Sequence, residues 1–203
     1  MHSRKVFVLA GLACFIFAAG CGAAQLDLLK NGGFESGETG WSIEVWEGTG
    51  EGAIGTDEVK SGDNALRLNG RIGDSDADKI FIVTRQHVPL VDADTPVTVN
   101  GFWKADLNEG SSGARIIVRW LDAEGEKITD EPSLSKAGSF DWTALQKTWH
   151  PPKHAASANL YLELRGRDAT VWYDDMSLTQ DVQMVDLETV RPGKPTCPST
   201  CWY

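Results

Sequence analysis

In "NLYLELRG" (159–166) the side chains of Tyr161, Glu163 and Arg165 alternate with Leu160, Leu162 and Leu164. Extended backbone therefore sends the first three to one face and the leucines to the other. Phe102 and Arg119 take the same polar parity within "TPVTVNGFWKA" (95–105) and "ARIIVRWL" (114–121), and Trp46 stands in the loop-rich "EVWEGTGEG" (44–52). Rings interleaved with guanidinium and carboxylate groups provide stacking surfaces and directed hydrogen bonds, which is the chemistry of a binding site. Reactive constellations do not appear: there is no Gly-x-Ser-x-Gly, no His-Glu-x-x-His and no phosphate-cradling glycine loop before a helix. His150 and His154 are four apart, but "HPPKH" cannot be helical, so zinc-helix spacing does not apply. Paired carboxylates mean little among 29 acidic residues, and a glycosidase needs a scaffold that surrounds its substrate and sets two carboxyls about 5–10 Å apart. The expectation is a chain that is not an enzyme.

The elements that must position these residues are strands. "ALRLNG" (65–70), "KIFIVTRQHVPL" (79–90), "TPVTVNGFWKA", "ARIIVRWL", "ALQKTW" (144–149), "NLYLEL" (159–164) and "TVWYDDMSL" (170–178) are rich in branched and aromatic residues and are separated by turn signals. "LDAEGEKI" (121–128) reads as a hairpin turn, and no stretch carries a helical apolar stripe. Eight or nine strands without helices predict an all-β fold, a two-sheet antiparallel β-sandwich in one domain. Parity places Trp103, Trp120 and Trp172 in its core, leaves Trp142 and Trp149 ambiguous, and groups Trp172, Asp174, Met176 and Leu178 on one apolar face.

The ends read differently. Residues 1–24 form an export signal: Arg4 and Lys5, an apolar run from Val6 to Ala19 too short for a membrane helix, then small residues. "Ala18-Ala19-Gly20-Cys21" resembles a lipobox with Ala18 in place of the usual Leu, so Cys21 is expected to be lipidated and to tether the protein to a bacterial envelope; cleavage after Ala24, giving a secreted form, is the alternative. The sandwich is expected over 25–180, followed by a proline-rich tail at 181–203, partly disordered, whose Cys197 and Cys201 would close only a tiny disulfide loop or supply half a zinc site. Loss of residues 1–20 removes two basic residues and takes the net charge from −10 to −12. Such a chain is a poor candidate for nucleic acid or for anionic lipid, and its membrane contact would run through the lipid alone.

"LLKNGGFESGETGW" (28–41), "VKSGDNALRL" (59–68), "VTVNGFWKAD" (97–106) and "WTALQKTWHPPKHAASANLYLELRGRDATVWYDDMSL" (142–178) stand in the order and spacing of a carbohydrate-binding module. The resemblance is to the jelly-roll group of families 4, 9, 16 and 22. It implies a polysaccharide or oligosaccharide ligand in a shallow aromatic-lined groove, with Trp46, Phe102, Arg119, Tyr161, Glu163 and Arg165 as the candidate contacts. It also implies a structural calcium ion held by Glu35, the Lys60 carbonyl and Asp174, tying the first strand to the last. Parity prefers Asp174 to Asp175 because an inward carboxylate needs a partner; a strand-end Asp bonded to backbone amides is the competing reading. The function implied is non-catalytic glycan binding by an exported envelope protein. The alternatives are an adhesion or assembly protein using the same sandwich, and an accessory subunit of a separate catalytic chain.

Overall fold

Twelve strands form among the described residues, which in this computed structural model are 23–72, 79–107 and 113–183, and period-two alternation of Val, Ile, Leu and aromatics builds the seven longest-patterned of them. The twelve are β1 (Ala23–Asp27), β2 (Ser42–Glu47), β3 (Thr49–Gly55), β4 (Ala65–Arg71), β5 (Ile80–Pro89), β6 (Val97–Leu107), β7 (Gly113–Leu121), β8 (Lys127–Asp130), β9 (Leu134–Lys136), β10 (Phe140–Trp149), β11 (Ser157–Gly166) and β12 (Ala169–Gln183). One sheet runs β10-β6-β12-β4-β3 with β1 beside β12; the other runs β2-β5-β11-β7-β8 with β9 beside β7. Two antiparallel sheets face each other as a sandwich. Cys21, most of the expected signal and the tail beyond Gln183 lie outside the described residues.

The seven strands legible in the alternation are all present. The five others (β1, β2, β3, β8 and β9) are short, or carry glycine and charge where a strand would show branched residues, as in "TGEGAIG" of β3. Between the sheets lie Leu66, Leu68, Ile80, Ile82, Val97, Val99, Trp103, Ile116, Val118, Trp120, Leu160, Leu162 and Leu164, all buried. Trp149 joins them.

The parity expected for β12 is corrected. Val171 and Tyr173, not Trp172, point into the core; Trp172 pairs with Arg67 and Lys104 on the outer side and is half-buried. The register with β6 shifts between Asp174 and Ser177, and Asp175 has φ 50°. This bulge inserts a residue and flips the alternation, so Met176 and Leu178 return to the core. Asp174 therefore shares the outer face with Trp172, and the 60–61 backbone covers it.

"KNGGFESGETGW" (30–41) folds as a series of turns. Asn31, at φ 55°, donates from Nδ2 to the carbonyls of Gly37 (2.7 Å) and Thr39 (3.2 Å) and accepts from the Ser36 amide at 2.9 Å. Its carbonyl takes the Trp41 indole N–H at 3.0 Å, and Phe34 packs fully buried with ring centroids 5.3 Å from Trp41. Gly32 is dictated by approach: a Cβ there would sit 1.7 Å from the Met176 carbonyl oxygen, while the Met176 amide donates to the Gly32 carbonyl at 2.9 Å.

Candidate functional site

Five of the six nominated binding residues meet on the outer face of the β2-β5-β11-β7-β8 sheet. Antiparallel register sets Tyr161 of β11 between Arg85 of β5 and Ile117 of β7, Glu163 between Val83 and Arg115, and Asn159 between His87 and Arg119. Trp46 reaches this face by alternation with Glu44, and a bulge follows it. Val45 pairs with Ile82 and Glu47 with Phe81, so the register shifts between them. Its indole stands edge-on to Phe81 at 4.8 Å and to Tyr161 at 6.3 Å between centroids, and its N–H donates to Glu44 at 2.8 Å.

Burial separates platform from support. Trp46 is 44% exposed, whereas Tyr161 is 2% and Glu163 3% exposed although neither belongs to the core between the sheets. Tyr161 lies beneath Trp46 and the Arg119 guanidinium, which is 5.1 Å from its ring centre. Trp46 is thus the ring a ligand can stack on, and Tyr161 is its foundation. Phe102 is corrected: it is on β6 in the other sheet, opposite Ala144 and Asp174, under the Lys60 ammonium at 4.8 Å. Strand parity tells inside from outside and says nothing about which sheet a strand joins.

The charges on this face are held by one another. Arg119 donates from Nε to Asp130 Oδ1 at 2.7 Å, which raises the guanidinium's affinity for its proton and lowers the Asp130 carboxyl. Arg85 lies 2.9 Å from Glu44. Arg165 donates from Nε to Glu163 at 3.0 Å while its guanidinium centre lies 3.6 Å over the Phe81 ring, and Arg115 sits 3.9 Å from the same carboxylate. Burial pushes Glu163 up, with the Arg165 and Arg115 charges pulling it back. Behind the face, the buried Tyr173 hydroxyl crosses from the opposite sheet, 2.8 Å from the Glu163 carbonyl and 3.0 Å from that of Arg115, and accepts the Arg115 amide at 3.2 Å.

Phe81, Arg85 and Arg115 were missed in the sequence. Phe81, Val83, Arg85 and His87 alternate within β5 as Tyr161 and Arg165 do within β11, so the same parity argument applied to 79–90 would have found the first two.

The residues for a calcium ion converge on one loop. Asp174, fully buried, accepts the Lys60 amide at 2.9 Å and the Ser61 amide at 3.1 Å on Oδ2, and the Asp175 amide at 2.7 Å on Oδ1. Glu35 accepts the Asp63 amide at 3.1 Å on both oxygens and the Asn64 amide at 3.2 Å. Gly62, at φ 65°, lets the loop pass over Glu35, since a Cβ would lie 2.1 Å from Oε1. A calcium shell needs about six to eight oxygens aimed at one point. Here both carboxylates face amide hydrogens, Lys60 presents its N–H to Asp174, and among the described residues no three Asp, Glu, His or Cys side chains surround a common point. In this arrangement they form a carboxylate–amide clip.

Comparison with known proteins bears on fold and function separately. No family model matches the chain. Two curated relatives are the tRNA(Glu)-specific nuclease WapA of Bacillus subtilis subsp. natto (strain BEST195), 29% identical over 186 residues, and the tRNA nuclease WapA of Bacillus subtilis (strain 168), 27% identical over 186 residues. Each alignment covers 89% of this chain, and the chain spans 8% of the length of each relative. These names are those of enzymes acting on a nucleic acid, and they overturn the expectation of a chain that is not an enzyme. The absent motifs excluded only the chemistries those motifs perform. Among solved structures, a family 16 carbohydrate-binding module is 20% identical with TM-score 0.55, covering 74% of this chain and 98% of its own. The CBM22-1 xylan-binding domain from Paenibacillus barcinonensis Xyn10C is 19% identical with TM-score 0.54, covering 81% of this chain and 99% of its own. The fold of this chain is the jelly-roll β-sandwich of carbohydrate-binding modules.

Proposed function

We propose that the outer face of the β2-β5-β11-β7-β8 sheet binds a glycan. One observation carries the reading: the Trp46 ring stands on this face, 44% exposed, above Phe81 and Tyr161 and among Arg85, Arg119 and Arg165. A pyranose offers an apolar C–H face to an indole and hydroxyls to guanidinium and carboxylate groups around it, and an aromatic set among polar groups suits that pairing. The match in fold to modules with sugar-binding names supports the same reading. The residues before Ala23 support export with Cys21 as a lipid anchor in the cell envelope, which palmitate labelling of the protein, abolished in Cys21→Ser, would establish.

Affinity electrophoresis through gels containing β-glucan, xylan, mannan or pectin tests the binding. Retardation by at least one polymer is expected, with loss of most of it in Trp46→Ala and a melting temperature within about 3 °C of the parent, as befits an exposed side chain. No retardation on any polymer, with the protein shown to be folded, would remove the glycan reading. Unchanged retardation in Trp46→Ala would move the site off this face. Retardation of the protein by tRNA in place of polysaccharide would turn the face over to the substrate that the curated relatives' names carry.

A further inference from the structure

At one end of the same face, where β11 stops at Gly166 and β5 begins, lies a hollow of about 190 Å³ walled by Glu47, Lys79, Phe81, Arg115 and Arg165. Three cations meet two carboxylates here, Glu47 at 3.5 Å from Lys79 and the buried Glu163 beneath both arginines. The local excess is positive on a chain whose net charge is −10. Arg165 is fixed: Nε is spent on Glu163 and the guanidinium centre lies 3.6 Å over Phe81, which leaves the rest of its fork for a ligand. Arg115 is underused, because among the described residues its guanidinium has one charged neighbour, Glu163 at 3.9 Å, beyond hydrogen-bonding distance. A half-buried guanidinium without a close acceptor gains most from an oxyanion that presents two oxygens to its fork.

Resting on the glycan reading above, we propose that this hollow takes an oxyanion substituent of the bound glycan, a sugar carboxylate or sulfate, received by Arg115 and Arg165 with Lys79 beside them. Trp46, packed on Phe81 at the hollow's wall, stacks the neighbouring sugar unit. Size argues for a single substituent, since the volume is below the about 300–1,000 Å³ of a pocket that engulfs a whole ligand. Charge argues the same way. A chain this acidic repels a continuous polyanion, while one positive hollow accepts an isolated negative unit on an otherwise neutral polymer.

The test is affinity electrophoresis with matched pairs: glucuronoxylan and its carboxyl-reduced product, and a sparsely sulfated xylan and its unsulfated parent, with tRNA as a continuous polyanion. At least one charged member should retard the protein about tenfold more strongly than its neutral partner, and Arg115→Gln should erase that difference while leaving retardation by the neutral partner. Which pair shows it distinguishes carboxylate from sulfate. Arg115→Lys keeps the charge and removes the fork, so it should recover only part of the difference; near-ultraviolet dichroism checks that both variants are folded. Equal retardation by charged and neutral members overturns the proposal and leaves the glycan reading standing. A charged-member preference that survives Arg115→Gln also overturns it. No retardation by any polysaccharide, or retardation by tRNA alone, overturns both.

Discussion

Glu163 shows at the scale of one residue how this face is held. Its carboxylate is buried among Arg165, Arg115 and, further off, Arg119, and burial outweighs the three positive charges, so its proton is held more tightly than in an ordinary carboxyl. A carboxyl whose affinity for its proton is higher folded than unfolded stabilises the fold while protonated. That contribution is complete below its ordinary value of 4.5 and is lost as pH rises through the folded value. Gln has the same shape, mimics the protonated form and still accepts from Arg165. Glu163→Gln is therefore expected to cost less than about 1 kcal/mol near pH 7 and to flatten the fall of melting temperature as pH rises above the ordinary value of 4.5 toward neutrality. Thermal melts of both proteins across that range decide it. A large loss at neutral pH that shrinks in acid would mean the ion pair stabilises more than its burial costs. Glu163→Ala should cost more than Glu163→Gln because it leaves two half-buried guanidiniums facing a void.

Between elements, the sandwich is tied by polar groups that cross it. Glu35 and Asp174 grip residues 60–64 from the first segment and the last strand, and the Tyr173 hydroxyl crosses the core to the β7 and β11 backbone. Asp174→Ala strands two loop amides and should lower stability by about 2–4 kcal/mol; Tyr173→Phe should lower it by about 1–2 kcal/mol. Denaturant unfolding measures both. If the clip acts through amides alone, the Asp174→Ala loss is the same in chelator and in millimolar calcium; a loss seen only with calcium would return the ion to the site. Sequence made much of this legible, but not its geometry. The family resemblance grouped Glu35, Lys60 and Asp174 around an expected calcium ion, while the contacts in the structure are carboxylate to amide; the alternation of Leu160, Leu162 and Leu164 gave β11 its core face. Trp172 was misplaced because a bulge at Asp174–Met176 breaks the period of two, and nothing in "YDDMSL" marks that insertion. Phe102 was misplaced because sheet membership depends on long-range pairing that a strand's own residues do not encode. Trp46 sat in a segment too rich in glycine and glutamate to read as a strand, and its bulge is visible only through its partner β5.

Over the whole molecule, two kinds of carboxylate pull stability in opposite directions with pH. Asp130, Glu44, Asp92 and Asp141 hold their protons more weakly folded than unfolded, each through hydrogen bonds: from Arg119 to Asp130, from Trp46 to Glu44, from Thr95 to Asp92 and from the Trp142 amide to Asp141. Stability from such groups is present above their ordinary values and lost as pH falls through the lowered ones. Glu163 and Asp174, raised by burial, act the other way and stabilise most in acid. The first group is largely at the surface, where water and salt leave an ion pair worth little, about 0–1 kcal/mol; the second is buried, where the same charge costs more. Net charge adds to the second effect, because at pH 7 the chain carries −10 and repels itself. The melting temperature should therefore be higher near pH 5 than near pH 8, and salt should narrow the gap by raising the pH 8 value, since a Debye length near 10 Å at about 0.1 M shortens self-repulsion. Differential scanning calorimetry at both pH values, in about 20 mM and 500 mM sodium chloride, measures each term. A higher melting temperature at pH 8 would show that the buried charges of Glu163 and Asp174 do not destabilise the fold, since the lowered surface carboxylates contribute nearly equally at both values. A gap indifferent to salt would assign it to Glu163 and Asp174 alone, because buried charges are screened far less than a charged surface.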